Sequence, residues 1–275
     1  LTFRLYPTRC QAFKIDKALD LHRELYNAAL QERRDAWKRC GVSVSRYEQQ
    51  AQIKFIWKDR PDFKEFVGAK SAHDAIIRLD LAFRAFFRRV KNGEKPGYPR
   101  FKNKRSFNSF SITAAEGTRN YSVDEDVISI PKIGRIHWQP WCVFPGKAKR
   151  ITIKRLADGY FATVVFECFD PAPLPKTNKS VGIDLGMLSV VATSDGEIIP
   201  AQKLLAKNER KLRSAHRRVS RRKKGSNRRK KAINLLARAH QRLARCRKHF
   251  LDGVTKSLVE TYDVLGIENL PLARM

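Results

Sequence analysis

Positive charge constrains this chain more than any other feature. Its 57 Lys and Arg stand against 27 Asp and Glu, a net charge of +30 at pH 7. A compact state with that excess repels itself unless a polyanion normally covers it. Nucleic acid fits that role first and an anionic membrane second. Disorder is not the way out, because 42% hydrophobic residues with 16 Phe and 4 Trp can build a packed core. No run reaches the roughly 18 apolar residues of a membrane span. Leu1 to Thr8 reads as a strand and lacks the apolar stretch of a signal peptide. A membrane partner therefore drops out.

The five cysteines (Cys10, Cys40, Cys142, Cys168 and Cys246) are odd in number and scattered, with no Cys-x-x-Cys and no paired Cys/His spacing. Neither a disulfide framework nor a structural zinc site is encoded, and reduced thiols are expected. The chain starts at Leu1 without an initiator Met and stops at Met275, just after an apolar strand pattern. It reads as a segment cut from a longer protein, or as one that lost its C-terminal end.

Periodicity divides the chain. A strand over residues 2–6 is closed by Pro7. Ile15, Ala18, Leu19, Tyr26, Ala29 and Leu30 then fall on one helical face. A second stripe runs through Ala72, Ala75, Ile76, Leu79, Phe83, Phe86, Phe87 and Val90, with Asp74 and Arg78 spaced to pair, and ends at Asn92-Gly93. From about residue 96 the period shortens. Short β-type runs over 107–113, 121–123, 127–130, 135–138, 150–155 and 160–166 predict a small antiparallel sheet or barrel. Residues 170–180 read as a linker. A meander over 181–186, 188–193 and 198–199 follows, then helices over 203–260 broken at Gly225-Ser226, then a buried-type strand over 263–270. His240, on the apolar face of the second of these helices, is expected in the core.

Three features carry chemistry. Asp184 sits between Ile183 and Leu185, and Glu268 between Ile267 and Asn269. Each alone is equally well a strand-end acid making a turn. Together, on two paired strands about 4.8 Å apart, they can aim two hard oxygen ligands at one Mg²⁺ or Mn²⁺. That arrangement serves phosphodiester displacement. Residues 217–231 hold ten basic residues in fifteen and no acid. A phosphate-binding tract through Arg217, Arg218, Arg221, Arg222, Lys223, Lys224, Arg228 and Arg229 accounts for this better than a solvated face. Residues 97–110 interleave Arg100, Lys102, Lys104 and Arg105 with Tyr98, Phe101, Phe107 and Phe110. They suit single-stranded or distorted nucleic acid if the rings stack on bases, or a plain core edge if they do not. No Gly-rich phosphate loop and no hydrolase triad spacing occurs.

Taken in order, Phe3-Arg-Leu-Tyr-Pro-Thr8, Gly97-Tyr-Pro-Arg-Phe-Lys102, Val181-Gly-Ile-Asp-Leu-Gly186, the basic helix pair and the stretch from Tyr262 to Leu270 resemble the TnpB family. These are transposon-encoded RNA-guided nucleases related to the ancestors of type V CRISPR effectors. The resemblance implies an α+β multidomain chain. A wedge-like β-barrel would span 1–10 and 96–175, with a helical recognition domain over 11–95. An RNase H-like (RuvC) α/β nuclease domain would span 178–275. It implies Asp184 and Glu268 as catalytic carboxylates and Mg²⁺ ligands, guide RNA and target double-stranded DNA as partners, and a nucleoid-associated place in a prokaryotic cytoplasm. Base pairing would read the target while the protein reads a short flanking motif. By analogy Lys70, Ser71, Asp74 and Arg78 are the expected motif readers, and the basic helices line the heteroduplex channel. The family's third catalytic Asp and zinc-ribbon cysteines lie beyond the second carboxylate, past Met275. If the protein ends at Met275, the resemblance implies a metal site short of one ligand; if it continues, nothing is missing. The alternative it leaves open is a nuclease-deficient, RNA-guided DNA-binding repressor.

Overall fold

Apolar residues at alternate positions write the first strand. Phe3 and Leu5 are buried while Thr2, Arg4 and Tyr6 face out, forming β1 (Thr2–Tyr6). The computed structural model describes residues 1–113, 121–140, 142, 146–168, 172–186, 189–202 and 204–268. They belong to two compact units, Leu1–Phe169 and Asp170–Met275.

In the first unit β1 leads into α1 (Arg9–Cys40), whose start is fixed by a capping box between Thr8 and Gln11. Gly41 ends it in the left-handed region at φ 66°, which glycine enters without a Cβ penalty. Then come α2 (Arg46–Asp59), α3 (Pro61–Phe66) and α4 (Ala69–Lys91). The strands are β2 (Ser109–Thr113), β3 (Ser122–Val123), β4 (Val127–Ile130), β5 (Gly134–Gln139), β6 (Lys147–Leu156) and β7 (Gly159–Glu167). They form one antiparallel sheet in the order β2-β6-β7-β1-β5-β4-β3. The expected barrel is an open sheet: among the described residues β2 and β3 each pair on one side only.

At roughly 1.5 Å per residue α1 is about 48 Å long, and it serves two cores. Ile15, Ala18 and Leu19 pack with the sheet residues Phe3, Ile128, Ile136 and Ile151. Leu21, Leu25, Tyr26 and Leu30 pack instead with Ile53, Phe63, Ile76 and Leu79 of the other helices. The predicted stripe on α4 is sealed only as far as Leu79; Phe87 and Val90 are exposed.

His22 sits where the cores meet. It is buried, its Nδ1 donates to the Ala18 carbonyl at 2.6 Å, and its ring stacks on Phe110 at 4.9 Å. Burial pushes its pKa down from 6.5 to about 4. Below pH 6.5 the unfolded chain takes up a proton that the folded chain refuses, so stability is full above 6.5 and falls as pH drops toward 4. His22→Phe is expected to remove a few kcal/mol of that acid sensitivity. Thermal melts across this window check it, and an unchanged pH slope would clear His22 as the cause.

The second unit carries β8 (Ser180–Asp184), β9 (Ser189–Thr193), β10 (Ile198–Pro200), α5 (Leu204–Ser220), α6 (Asn227–Thr261) and β11 (Val264–Ile267). Sheet order is β10-β9-β8-β11, antiparallel except that β11 joins β8 in parallel after the helical crossover. Its core is Val181, Ile183, Val191, Leu258 and Tyr262. The expected buried final strand is instead an edge among the described residues, with Val264 and Ile267 each 62% exposed. Leu188, Asn269, Leu270 and the linker positions 170–171, all part of predicted segments, lie outside the described residues. No helix among the described residues is long and apolar enough to cross a membrane.

Candidate functional site

Parallel pairing between β8 and β11 sets Val264 opposite Ser180 and continues in register to Ile267 opposite Ile183. The next residue on each strand is a carboxylate, Asp184 ending β8 and Glu268 following β11. With strands about 4.8 Å apart, the register carries both acids to the same end of the sheet as neighbours. Contrary to the picture of acids enclosed in apolar strands, both are exposed. Neither has a hydrogen bond or ion pair among the described residues.

Nearby acids differ. Asp263 accepts from the backbone N–H groups of Thr177 and Asn178, at 3.1 and 2.7 Å, which holds its carboxyl below the usual range. Asp195 accepts from the Tyr262 hydroxyl at 3.0 Å. Among the described residues, Asp184 and Glu268 thus keep their lone pairs free for an incoming group. Two hard oxygen donors of this kind fit Mg²⁺, which is commonly held by one or two carboxylates with waters and substrate phosphate completing the octahedron. Among the described residues no group of three or more His, Cys, Asp or Glu side chains converges. The five cysteines are unpaired.

From Leu204 to Thr261 the chain holds twenty Lys and Arg and three acids. Each acid meets one cation a helical turn away: Glu209 with Arg213, Asp252 with Lys248 and Glu260 with Lys256. The three pairs leave a large cationic excess. α5 and α6 pack against each other as an antiparallel pair with little buried between them beyond Leu212, Ala215 and Leu243. Arg217, Arg218, Arg221, Arg222, Lys223, Lys224 and Arg228 are exposed, as a phosphate-binding tract requires. Arg229 has a different task. Its Nη1 donates to the carbonyls of Val219 and Arg222 at 3.0 and 2.8 Å, satisfying the end of α5. His240 is a correction: it is exposed, with Nε2 lying 3.4 Å from His216 Nε2 across the helix pair.

Replacing Arg221, Arg222, Lys223 and Lys224 with Glu is expected to weaken RNA binding and flatten its salt dependence. For single strands each lost phosphate contact lowers the slope of log K against log salt by about 0.7, so the four together remove about 3. Filter binding across a salt series reads the slope, and an unaltered one would exclude the tract from the interface.

The aromatic-basic segment splits in two. Phe107 and Phe110 are core, 7% and 3% exposed, and Asn27 clamps the backbone of Lys102 through paired bonds of 2.8 and 2.9 Å. The Lys102 ammonium sits 6.0 Å from the Tyr26 ring centre, and Lys104 pairs with Asp20 at 2.6 Å. Arg100 and Arg105 are exposed, as are Tyr98 and Phe101. On α4, Ser71 and Asp74 are 4% exposed, and the Ser71 hydroxyl donates to the Gly68 carbonyl. Asp74 receives Arg78 Nε at 2.8 Å and Arg150 Nη2 at 2.9 Å, while Arg78 also reaches Ser109 and Ser111. Of the four expected motif readers, Lys70 is the exposed one. Asp74 and Arg78 hold α4 on the sheet, while Ser71 bonds back to the start of its own helix.

Comparison with known proteins matches residues 163–275 to a family described as "Probable transposase", of the OrfB type of IS605 elements, and residues 1–41 to a "Helix-turn-helix domain". Within the latter stretch this chain has one strand and one uninterrupted helix, Arg9–Cys40. A Streptomyces pristinaespiralis protein named as an RNA-guided DNA endonuclease is 31% identical over 99% of this chain and 67% of its own length. InsQ of Escherichia coli K12, named likewise, is 23% identical over 99% of this chain and 66% of its own. A CRISPR-Cas12f ternary complex is similar at 14% identity and TM-score 0.39, over 93% of this chain and 62% of that one. The chain spans about two thirds of the length of these curated relatives.

Proposed function

The chain belongs to the TnpB family, and from that premise we propose that it is an RNA-guided DNA endonuclease. It binds a transposon-derived guide RNA and cuts the duplex that the guide selects. The observation that carries the catalytic assignment is the parallel register of β8 and β11, which leads to Asp184 and Glu268 as adjacent carboxylates without a partner among the described residues.

In this reading residues 178–275 are the RuvC-type nuclease domain, with Asp184 and Glu268 holding Mg²⁺. When bound, the ion stabilises charge on the attacking and leaving oxygens of the scissile phosphodiester. The chain's own residues supply the remainder. The cations of α5 and α6 hold the phosphate backbone of the guide-target heteroduplex. The sheet of residues 1–10 and 96–175 serves as the wedge, and residues 11–95 as the recognition domain. Lys70 approaches the flanking motif while Asp74 and Arg78 keep its helix in place.

The test is copurification of the chain with its RNA, sequencing of that RNA, and incubation with Mg²⁺ and a matching duplex. Guide-dependent cutting is the expected result. Tight guide-dependent binding without cutting would make this a targeting protein, and binding that ignores the guide would sink the RNA-guided reading.

A further inference from the structure

The aromatic stripe on α4 runs past the core that it was expected to fill. Phe83 and Phe86 are half-buried, and Phe87 is 61% exposed. With Tyr98, Trp37 (64% exposed) and Tyr47 (67%), they line a cleft of about 580 Å³ between the end of α1, the start of α2 and the end of α4. Tyr98 meets Phe83 and Phe86 edge-on, at 89° and 76°, which braces the three rings. Six aromatic side chains around one opening in a highly charged chain need an occupant.

The polar lining narrows what that occupant is. Arg33, whose side chain is 10% exposed, lines the cleft with its guanidinium carbon 5.3 Å from the Phe83 ring centre. Its Nε donates to Gln49 at 2.8 Å and Nη1 reaches Asp80 at 3.4 Å, but Nη2 is buried and has no acceptor among the described residues. Buried N–H groups without a partner are rare in folded proteins. The second Asp80 oxygen receives Arg84 Nε at 2.9 Å, so two arginines share this carboxylate. Arg84, 64% exposed, and Arg46 complete the lining with further positive charge.

We propose that this cleft holds one unpaired base of the bound RNA, a reading that rests on the RNA-guided assignment above. The base stacks among the aromatic rings, and the adjoining phosphate lies against Arg84. Each base has a π-face, which is why aromatic pockets suit single strands. Duplex DNA would first have to unstack a base, whereas a single-stranded loop offers one already. A second copy of this chain, itself at +30, would be repelled by the three arginines.

Trp37→Ala and Arg84→Ala change exposed side chains, so the variants are expected to fold. Fluorescence anisotropy would compare three probes: a short unpaired oligoribonucleotide, its DNA equivalent and a fully paired RNA. Trp37→Ala is expected to weaken the unpaired RNA about tenfold, with paired RNA unaffected. Photocrosslinking of the parent complex is expected to attach a base to Trp37 or Tyr98. No loss, an equal loss on paired RNA, or altered self-association with RNA affinity intact would overturn the proposal. Equal weakening of the DNA probe would overturn the choice of RNA. Guide copurification separates the two readings. Oligoribonucleotide binding through the cleft without any defined copurified RNA would fail the guide assignment alone. A normal guide with no crosslink and no Trp37 effect would fail the cleft alone.

Discussion

Asp184→Ala is expected to abolish Mg²⁺-dependent cleavage while leaving guide-dependent DNA binding nearly unchanged. Metal-borne charge stabilisation contributes several kcal/mol to such a transition state, and at 1.36 kcal/mol per decade that is a loss of about a thousandfold or more. Binding should be spared because the proposed phosphate contacts are the cations of α5 and α6, not the carboxylates. Asp184 has no partner within the described fold, so its removal leaves no buried group orphaned and folding should be unaffected. Glu268→Ala should behave alike, since the strand register makes the two acids neighbours. Single-turnover cleavage and mobility-shift assays on the same preparations separate the two effects. Undiminished cutting by Asp184→Ala would remove the catalytic assignment.

Asp74→Ala is expected to have the largest effect on stability. The carboxylate is 5% exposed and accepts from two guanidiniums, Arg78 of its own helix and Arg150 of β6, 76 residues away. Truncation leaves both cations facing a hole at the junction of α4 and the sheet. Losing one partner of a buried pair costs roughly 3–5 kcal/mol. Arg78 and Arg150 are 27% and 42% exposed, and solvent reduces the figure to about 3 kcal/mol. At roughly 2–4 °C per kcal/mol for a unit of this size, the melting temperature should fall by about 6–12 °C. A change below about 2 °C would show that water replaces the carboxylate at no cost. The loss should be shared by every binding activity that needs α4 seated, Lys70 included.

The strands were the most legible part of the fold. Val127 to Ile130 is bounded by turn residues and is apolar at three of four positions, and the structure forms β4 over those same four residues with those three buried. Local pattern suffices there because hairpins pair neighbours. α2 left no such trace. Its buried positions are Gln49 and Ile53 alone, and a helix resting on one polar and one apolar residue shows no stripe. Asp74 and Arg78 were recognisable as a pair from their spacing, but the third partner, Arg150, comes from a distant strand and nothing local announces it. Phe107 and Phe101 differ in fate although both sit among cations, because only Phe107 faces the helical core. The adjacency of Asp184 and Glu268 was inferred from two apolar runs of matching design. Their exposure was not, because an edge strand and a central strand can carry the same residues.

β1 lies in the middle of its sheet, between β7 and β5, with Thr2 opposite Thr163 and Tyr6 opposite His137. Thr2–Tyr6 must therefore wait for strands made long after it. At a synthesis rate of roughly 5–20 residues per second, that interval is on the order of 10–30 s. The intervening helices α1 to α4 close their own core meanwhile, since most of their contacts are local. Birth order thus runs helices first and sheet last, with the N-terminal strand as an unpaired edge for the whole interval. Nascent chains stalled before Gly134, the start of β5, would carry a folded helical hub and a protease-sensitive Thr2–Tyr6 segment.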